Sequence, residues 1–209
     1  MSEQIINPYL TPQVSSGILV YQPEFKKFPK IFRLYEQPIV VTEKIDGTNG
    51  LIYIHKESNT IMAGSRKRWI TTSDDNYGFA RFVENNRDEL IEKLGDGYHY
   101  GEWWGQGIQR HYNMDHRVFS LFNVSRWSED RVRPSCCDVV PEFPEYGIKS
   151  LSELNYLFDS LKSENSLAAS KYKLYFSPIE GLMVYFKNSD RYEKIIFDES
   201  KKRRKNEKI

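Results

Sequence analysis

Apolar residues fall in short alternating or continuous runs along most of this chain, and Gly, Asn, Asp or Pro closes most of the runs. That is the pattern of β-strands. It predicts strands over residues 39–45, 50–55, 59–63, 97–103, 117–124, 136–140, 172–176, 181–187 and 192–197. Two stretches carry helical spacing instead. One runs from Asp75 to Leu94, sets Phe79, Val83, Leu90 and Leu94 on one face, and stops at Gly95. The other starts near Ser150, where Glu153 can complete a capping box, and buries Leu151, Leu154, Phe158 and Leu161. Strands outnumber helices and do not alternate with them. The expected class is therefore α+β with largely antiparallel sheets. Residues 1–200 read as a single domain, followed by a basic tail over 201–209 that carries Lys201-Lys202-Arg203-Arg204-Lys205.

Composition narrows the partners. Hydrophobic residues make up 39% of the 209, enough for a core. No apolar run approaches the roughly 20 residues of a membrane span. Met1-Ser2-Glu3-Gln4 lacks the basic and apolar regions of a signal peptide. Cys136 and Cys137 are adjacent, a poor structural staple, and no Cys/His spacing resembles a zinc site. Two reduced, buried thiols in a cytoplasmic protein are the expectation. Net charge is only +1, so a nucleic acid would have to be held by a local basic surface.

The candidate chemistry starts at Glu43-Lys44-Ile45-Asp46-Gly47-Thr48-Asn49. A lysine stands where one strand ends, an acid follows two residues on, and a glycine permits a turn. An amine held unprotonated beside an electrophile can attack phosphorus. At pH 7 only about one ordinary lysine in two thousand is neutral, so such a site must favour the neutral form. Further along stand Ser65-Arg66-Lys67-Arg68 with fixed positive charge, and Gly101-Glu102-Trp103-Trp104-Gly105, whose glycines let a ligand approach the backbone. The alternating Phe119-Ser120-Leu121-Phe122-Asn123-Val124 could offer an aromatic face to a base. Ile179-Glu180-Gly181 opens a strand, and Lys194 lies on the last one.

This ordered set, over residues 39–197, resembles the covalent nucleotidyltransferase superfamily of RNA ligases, DNA ligases and mRNA capping enzymes. Gly101–Gln109, Ala63-Gly64-Ser65-Arg66 and Phe119–Val124 look most like the ATP-dependent RNA ligases of the RNA ligase 2 branch. The resemblance implies a ligase/capping-enzyme-type nucleotidyltransferase domain. It implies a covalent lysyl-AMP on Lys44, with Glu43 and Asn49 in the nucleotide pocket and Asp46 organising the nucleophile loop. Arg66 would touch the ribose and the incoming 5′-phosphate, Glu102 the ribose hydroxyl, and Phe122, with Asn123 where the family has an acid, would stack on adenine. Glu180 and Glu102 would hold Mg2+ or Mn2+, and Lys194 would neutralise the phosphates of ATP. The implied partner is RNA with 5′-phosphate and 3′-hydroxyl ends, with no membrane involved. Two departures stand out. The second of the family's two spaced lysines is Ile196 here, with Lys187 and the Lys201–Lys205 run as candidate substitutes. The chain also ends 15 residues after Lys194 (209 − 194), with no room for an oligonucleotide-binding fold or a helical C-terminal domain, which leaves a place for an accessory domain or protein in trans. A DNA ligase, or a nucleic-acid end-binding module with a decayed site, remains an alternative.

Overall fold

The structure is a computed structural model that describes residues 10–15, 18–23, 37–143, 151–172 and 176–197, with a few single positions between 27 and 33. Contacts divide the chain into two compact units, Met1–Phe32 and Arg33–Ile209. In the first unit, β1 (Leu10–Ser15) pairs antiparallel with β2 (Ile18–Pro23). The sequence pattern does not reveal this hairpin, because Pro12 and Pro23 interrupt it and proline cannot donate to a ladder.

The second unit continues with β3 (Ile39–Lys44), β4 (Thr48–His55), β5 (Thr60–Gly64), β6 (Trp69–Ile70), α1 (Phe79–Asn85), α2 (Arg87–Leu94) and β7 (Gly97–Gly105). Then come β8 (Arg117–Leu121), α3 (Val124–Trp127), β9 (Cys137–Val139), β10 (Glu142–Phe143), α4 (Leu151–Leu161), α5 (Leu167–Ser170), β11 (Gly181–Phe186) and β12 (Arg191–Ile196). They form a four-stranded sheet, β10-β3-β11-β12, and a six-stranded sheet, β6-β5-β4-β7-β8-β9. Among the described residues, every pairing in these sheets is antiparallel except β8 with β9. The α+β class with largely antiparallel sheets is therefore what the chain adopts.

Among the described residues, three cores hold the unit together. Ile52, Ile54, Trp103, Phe119 and Leu121 pack the six-stranded sheet against Phe79, Val83, Leu90 and Leu94 of α1 and α2. Ile39, Val41, Leu182, Val184 and Phe186 pack the four-stranded sheet against Leu157, Phe158 and Leu161 of α4. A third cluster joins the sheets: Ile45, Trp104, Tyr112, Met114, Val118, Val140, Ala168 and Ala169. Burying such side chains is the main source of stability.

Several expected boundaries move. The helix expected from Asp75 to Leu94 is two helices, because Asn86, at φ −112° and ψ 16°, leaves the helical region. Asp75 instead caps the first helix from outside, accepting from Ala80 N at 2.8 Å. The strand expected to reach residue 124 ends at Leu121, and Asn123 caps α3 by accepting from Arg126 N. Residues 173–175 of the expected strand 172–176, Ser150, and the side chains of Leu151 and Leu154 lie outside the described residues, as does the tail 201–209. Of the two thiols, Cys137, the first residue of β9, is buried, but Cys136, in the turn before the strand, is only half-buried.

Candidate active site

Lys44 is the last residue of β3 and pairs with Gly181 of β11, which in turn pairs with Ile196 of β12. Cross-strand partners share a face, so these three form one row. Lys44 Nζ donates to Glu180 Oε2 at 2.5 Å, and Glu180 is buried. Asp46, two residues on, is held by residues that sequence reasoning missed. Its backbone N–H donates to the Tyr112 hydroxyl at 2.7 Å, and Arg110 Nε donates to its carboxylate at 3.2 Å. Arg110 also donates to the Pro178 carbonyl at 2.8 Å, tying the loop after Lys44 to the segment before Glu180. Gln109, His111, Tyr112 and Asn113 all have φ between 45° and 54°. Non-glycine residues in that region store strain of about 1–3 kcal/mol each, and such residues gather at functional sites.

Gly47 serves close approach rather than a turn. A Cβ there would meet the Trp103 carbonyl oxygen at 2.5 Å and Glu102 Cγ at 2.9 Å. The loop can therefore press on β7, where Gly47 N–H donates to Glu102 Oε1 at 3.1 Å. Burial raises the Glu102 carboxyl to about 7, against the opposing pull of nearby Lys44 and with Glu180 and Asp46 pushing the same way. Asn49 pairs with Glu102 across β4 and β7 and shares its face. Gly101 turns out to serve the core: its Cβ would meet Phe119 at 2.6 Å, so it makes room for that ring rather than for a ligand.

The two phenylalanines separate by face. Phe119 is fully buried, whereas Phe122 is 42% exposed. Phe122 N–H donates to the Tyr100 carbonyl, which continues the β7–β8 register and puts Phe122 on the Glu102 side. Other candidates lie apart. Glu43 points to the opposite side of β3 from Lys44, because side chains alternate along a strand. There it is buried and accepts from Ser166 Oγ at 2.5 Å and Ala168 N at 3.0 Å, at the start of α5; burial raises its pKa. Arg66 is exposed in the turn between β5 and β6. Lys194 is exposed opposite Met183, one row outward from Lys44 on the same face. Lys187 cannot replace the lysine missing at Ile196. It stands four residues beyond Met183, about 13 Å along the strand at ~3.3 Å per residue, at the far end of the hairpin.

Lys44, Asp46, Glu102, Glu180 and Asn49 thus converge where the two sheets meet, with Phe122 on the Glu102 side. Residues 37–204 match the RNA ligase family, and the chain belongs to it. Solved structures of Naegleria gruberi RNA ligase share the fold. An apo variant superposes with a TM-score of 0.62 at 17% identity, over 82% of this chain and 52% of that one. A variant with ATP and Mn gives 0.61 at 17%, over 81% and 52%. Another apo variant gives 0.59 at 18%, over 77% and 50%. The chain spans about half the length of these relatives. No curated protein matches it significantly. Among the described residues, no helix is long and apolar enough to cross a membrane.

Proposed function

We propose that this protein is an ATP-dependent RNA ligase that works through a covalent lysyl-AMP. The observation that carries the reading is the Lys44 amine, fixed by Glu180 and facing Glu102, inside a fold shared with an RNA ligase whose variants bind ATP and Mn. Lys44 Nζ gives up its proton and attacks the α-phosphorus of ATP. An N–P bond forms, the Pα–O bond to the β-phosphate breaks, and pyrophosphate leaves. The RNA 5′-phosphate then takes AMP from Lys44, which regains its proton. Last, a 3′-hydroxyl loses its proton and attacks the activated phosphorus; the P–O bond that seals the strand forms, the P–O bond to AMP breaks, and AMP departs. Phe122 stacks on adenine, Glu102 and Asn49 flank the ribose, and Arg66 and Lys194 offset phosphate charge.

The donor set suits a divalent cation. Glu180 is buried and Glu102 half-buried beside the Lys44 amine, and a carboxyl raised to about 7 by desolvation gains from a cation that stabilises its charged form. Among the described residues no group of three or more His, Cys, Asp or Glu could hold a metal alone. Mg2+ or Mn2+ here would complete its shell with water and phosphate oxygens, and would supply charge neutralisation on the triphosphate.

Incubation with α-labelled ATP and Mg2+, followed by a denaturing gel and intact mass, tests the reading. The expected adduct is one AMP per chain, absent in Lys44→Ala. An adduct that persists in Lys44→Ala overturns the assignment. One observation favours a second reading: apolar Ile196 stands in the Lys44 row, where the family has a lysine. Absence of any adduct in the intact protein would favour an RNA end-binding module. Equal sealing of all-DNA and RNA-containing nicks would instead favour a DNA ligase.

A further inference from the structure

The face of the six-stranded sheet that carries Glu102 continues outward as a row of aromatic rings, with Trp69, Tyr98 and Tyr100 exposed and Tyr53 half-buried. Tyr98 and Tyr100 stand at two-residue steps before Glu102 on β7 and are 57% and 56% exposed. Tyr53 lies opposite Tyr98 on β4, with ring centroids 4.8 Å apart. Trp69 on β6 is 44% exposed and sits 6.3 Å from Tyr53. It lies beside the surface of Gly64, where a Cβ would come within 3.3 Å of its ring. The opposite face of this sheet packs on α1 and α2. An antiparallel sheet often leaves one face to water, but that face is then normally polar. Here it is aromatic.

Two features indicate what covers it. The first is charge. The turn from β5 into β6 is Ser65-Arg66-Lys67-Arg68, directly before Trp69, and all three cations are exposed. Arg68 is tied to Asp74, whereas Arg66 and Lys67 make no hydrogen bond or ion pair among the described residues. The second is continuity. Tyr100 lies across from Phe122 and one step along the strand from Glu102, so the ring row runs into the candidate active site. Rings spaced along a sheet, with flexible cations at one edge, match unpaired bases and their phosphates, since every base has a face to stack.

We infer that the Tyr53–Trp69–Tyr98–Tyr100 face binds a single-stranded RNA segment next to the end being joined, with Arg66 and Lys67 on its phosphates. This rests on the ligase reading and narrows it: the preferred substrate has unpaired nucleotides flanking the junction, not a fully paired nick.

The test measures binding of a fluorescent 5′-phosphorylated 12-nucleotide RNA (about four bases beyond the rings at each end) by the full chain, and by Tyr98→Ala/Trp69→Ala and Tyr98→Phe/Trp69→Phe. Both positions are exposed and lie outside the ATP site. The alanine pair is expected to weaken single-strand binding at least tenfold, consistent with about 1–3 kcal/mol per stacked base. The phenylalanine pair should stay within about twofold of wild type, since it keeps the rings. Self-adenylation should be unchanged in both. Lys67→Ala should lower the salt slope by about one. Unchanged single-strand binding in the alanine pair overturns the inference. So does an equal loss on fully duplex RNA, or a change in oligomeric mass in place of RNA affinity, which would make the face a protein interface. The two readings fail separately. A protein that makes no AMP adduct but binds RNA through these rings keeps the platform and loses the ligase. One that adenylates normally but binds RNA without them keeps the ligase and loses the platform.

Discussion

Lys44, Glu102 and Glu180 could be found in the sequence because each sits in a short pattern with glycine or aspartate beside it. Arg110 and Tyr112 could not, because their contacts with Asp46 span 64 and 66 residues. The signal available was faint: a polar, glycine-free run, Gln109–Asn113, that belongs to no strand or helix pattern. Tyr112→Phe removes the hydroxyl to which the buried Asp46 N–H donates and should lower stability by about 1–3 kcal/mol. Adenylation rate should fall with it, measured under conditions where the variant is fully folded by circular dichroism. A full rate would mean the Tyr112 contact holds the fold alone. Glu102 gives a second expectation. Its folded-state pKa, about 7, lies above the unfolded value of 4.5, so the folded protein binds the extra proton between those values. Stability therefore falls as pH rises through that window, by up to about 1.4 kcal/mol per pH unit. Glu102→Gln should flatten the decline in Tm between pH 5 and 7 in metal-free buffer. Some slope should remain, because Glu43 is also raised.

At the level of elements, periodicity located most strands to within a few residues, and it failed where local chemistry outweighs pattern. Asn86 splits a helix whose apolar spacing continues across it, so Phe79, Val83, Leu90 and Leu94 are all buried as the single-helix reading expects. Two-residue strands such as β6 and β10 are too short to show a period. The period does settle the two phenylalanines, which are three residues apart and so face opposite sides. Phe122→Ala is expected to weaken ATP use, read as the ATP concentration for half-maximal adenylation, with Tm nearly unchanged. Phe119→Ala should cost about 3–5 kcal/mol of stability, the usual range for a buried ring. The reverse outcome would mean that the base lies on the other face of the sheet.

Across the whole second unit, the sequence reveals strands but not which sheet each joins. β3 and β4 are consecutive, yet one lies beside β11 and the other beside β7. That division puts Lys44 and Glu180 on one sheet and Asn49, Glu102 and Phe122 on the other or at its end, with the third core as the joint between them. A bound nucleotide would then touch both sheets and hold them together. A ligand that binds only the folded state at 100 times its Kd adds about 2.7 kcal/mol. For a chain of this size that corresponds to a rise of about 5–10 °C in Tm. An ATP analogue with a methylene between the α- and β-phosphates should therefore raise Tm by that amount in the presence of Mg2+, without forming an adduct. The shift should shrink in Phe122→Ala, which removes a contact on the six-stranded sheet, and in Glu180→Gln, which removes one on the four-stranded sheet. If only Phe122→Ala reduced it, the analogue would be held by one sheet, and the ATP-bound site would have to close by a later movement of the other.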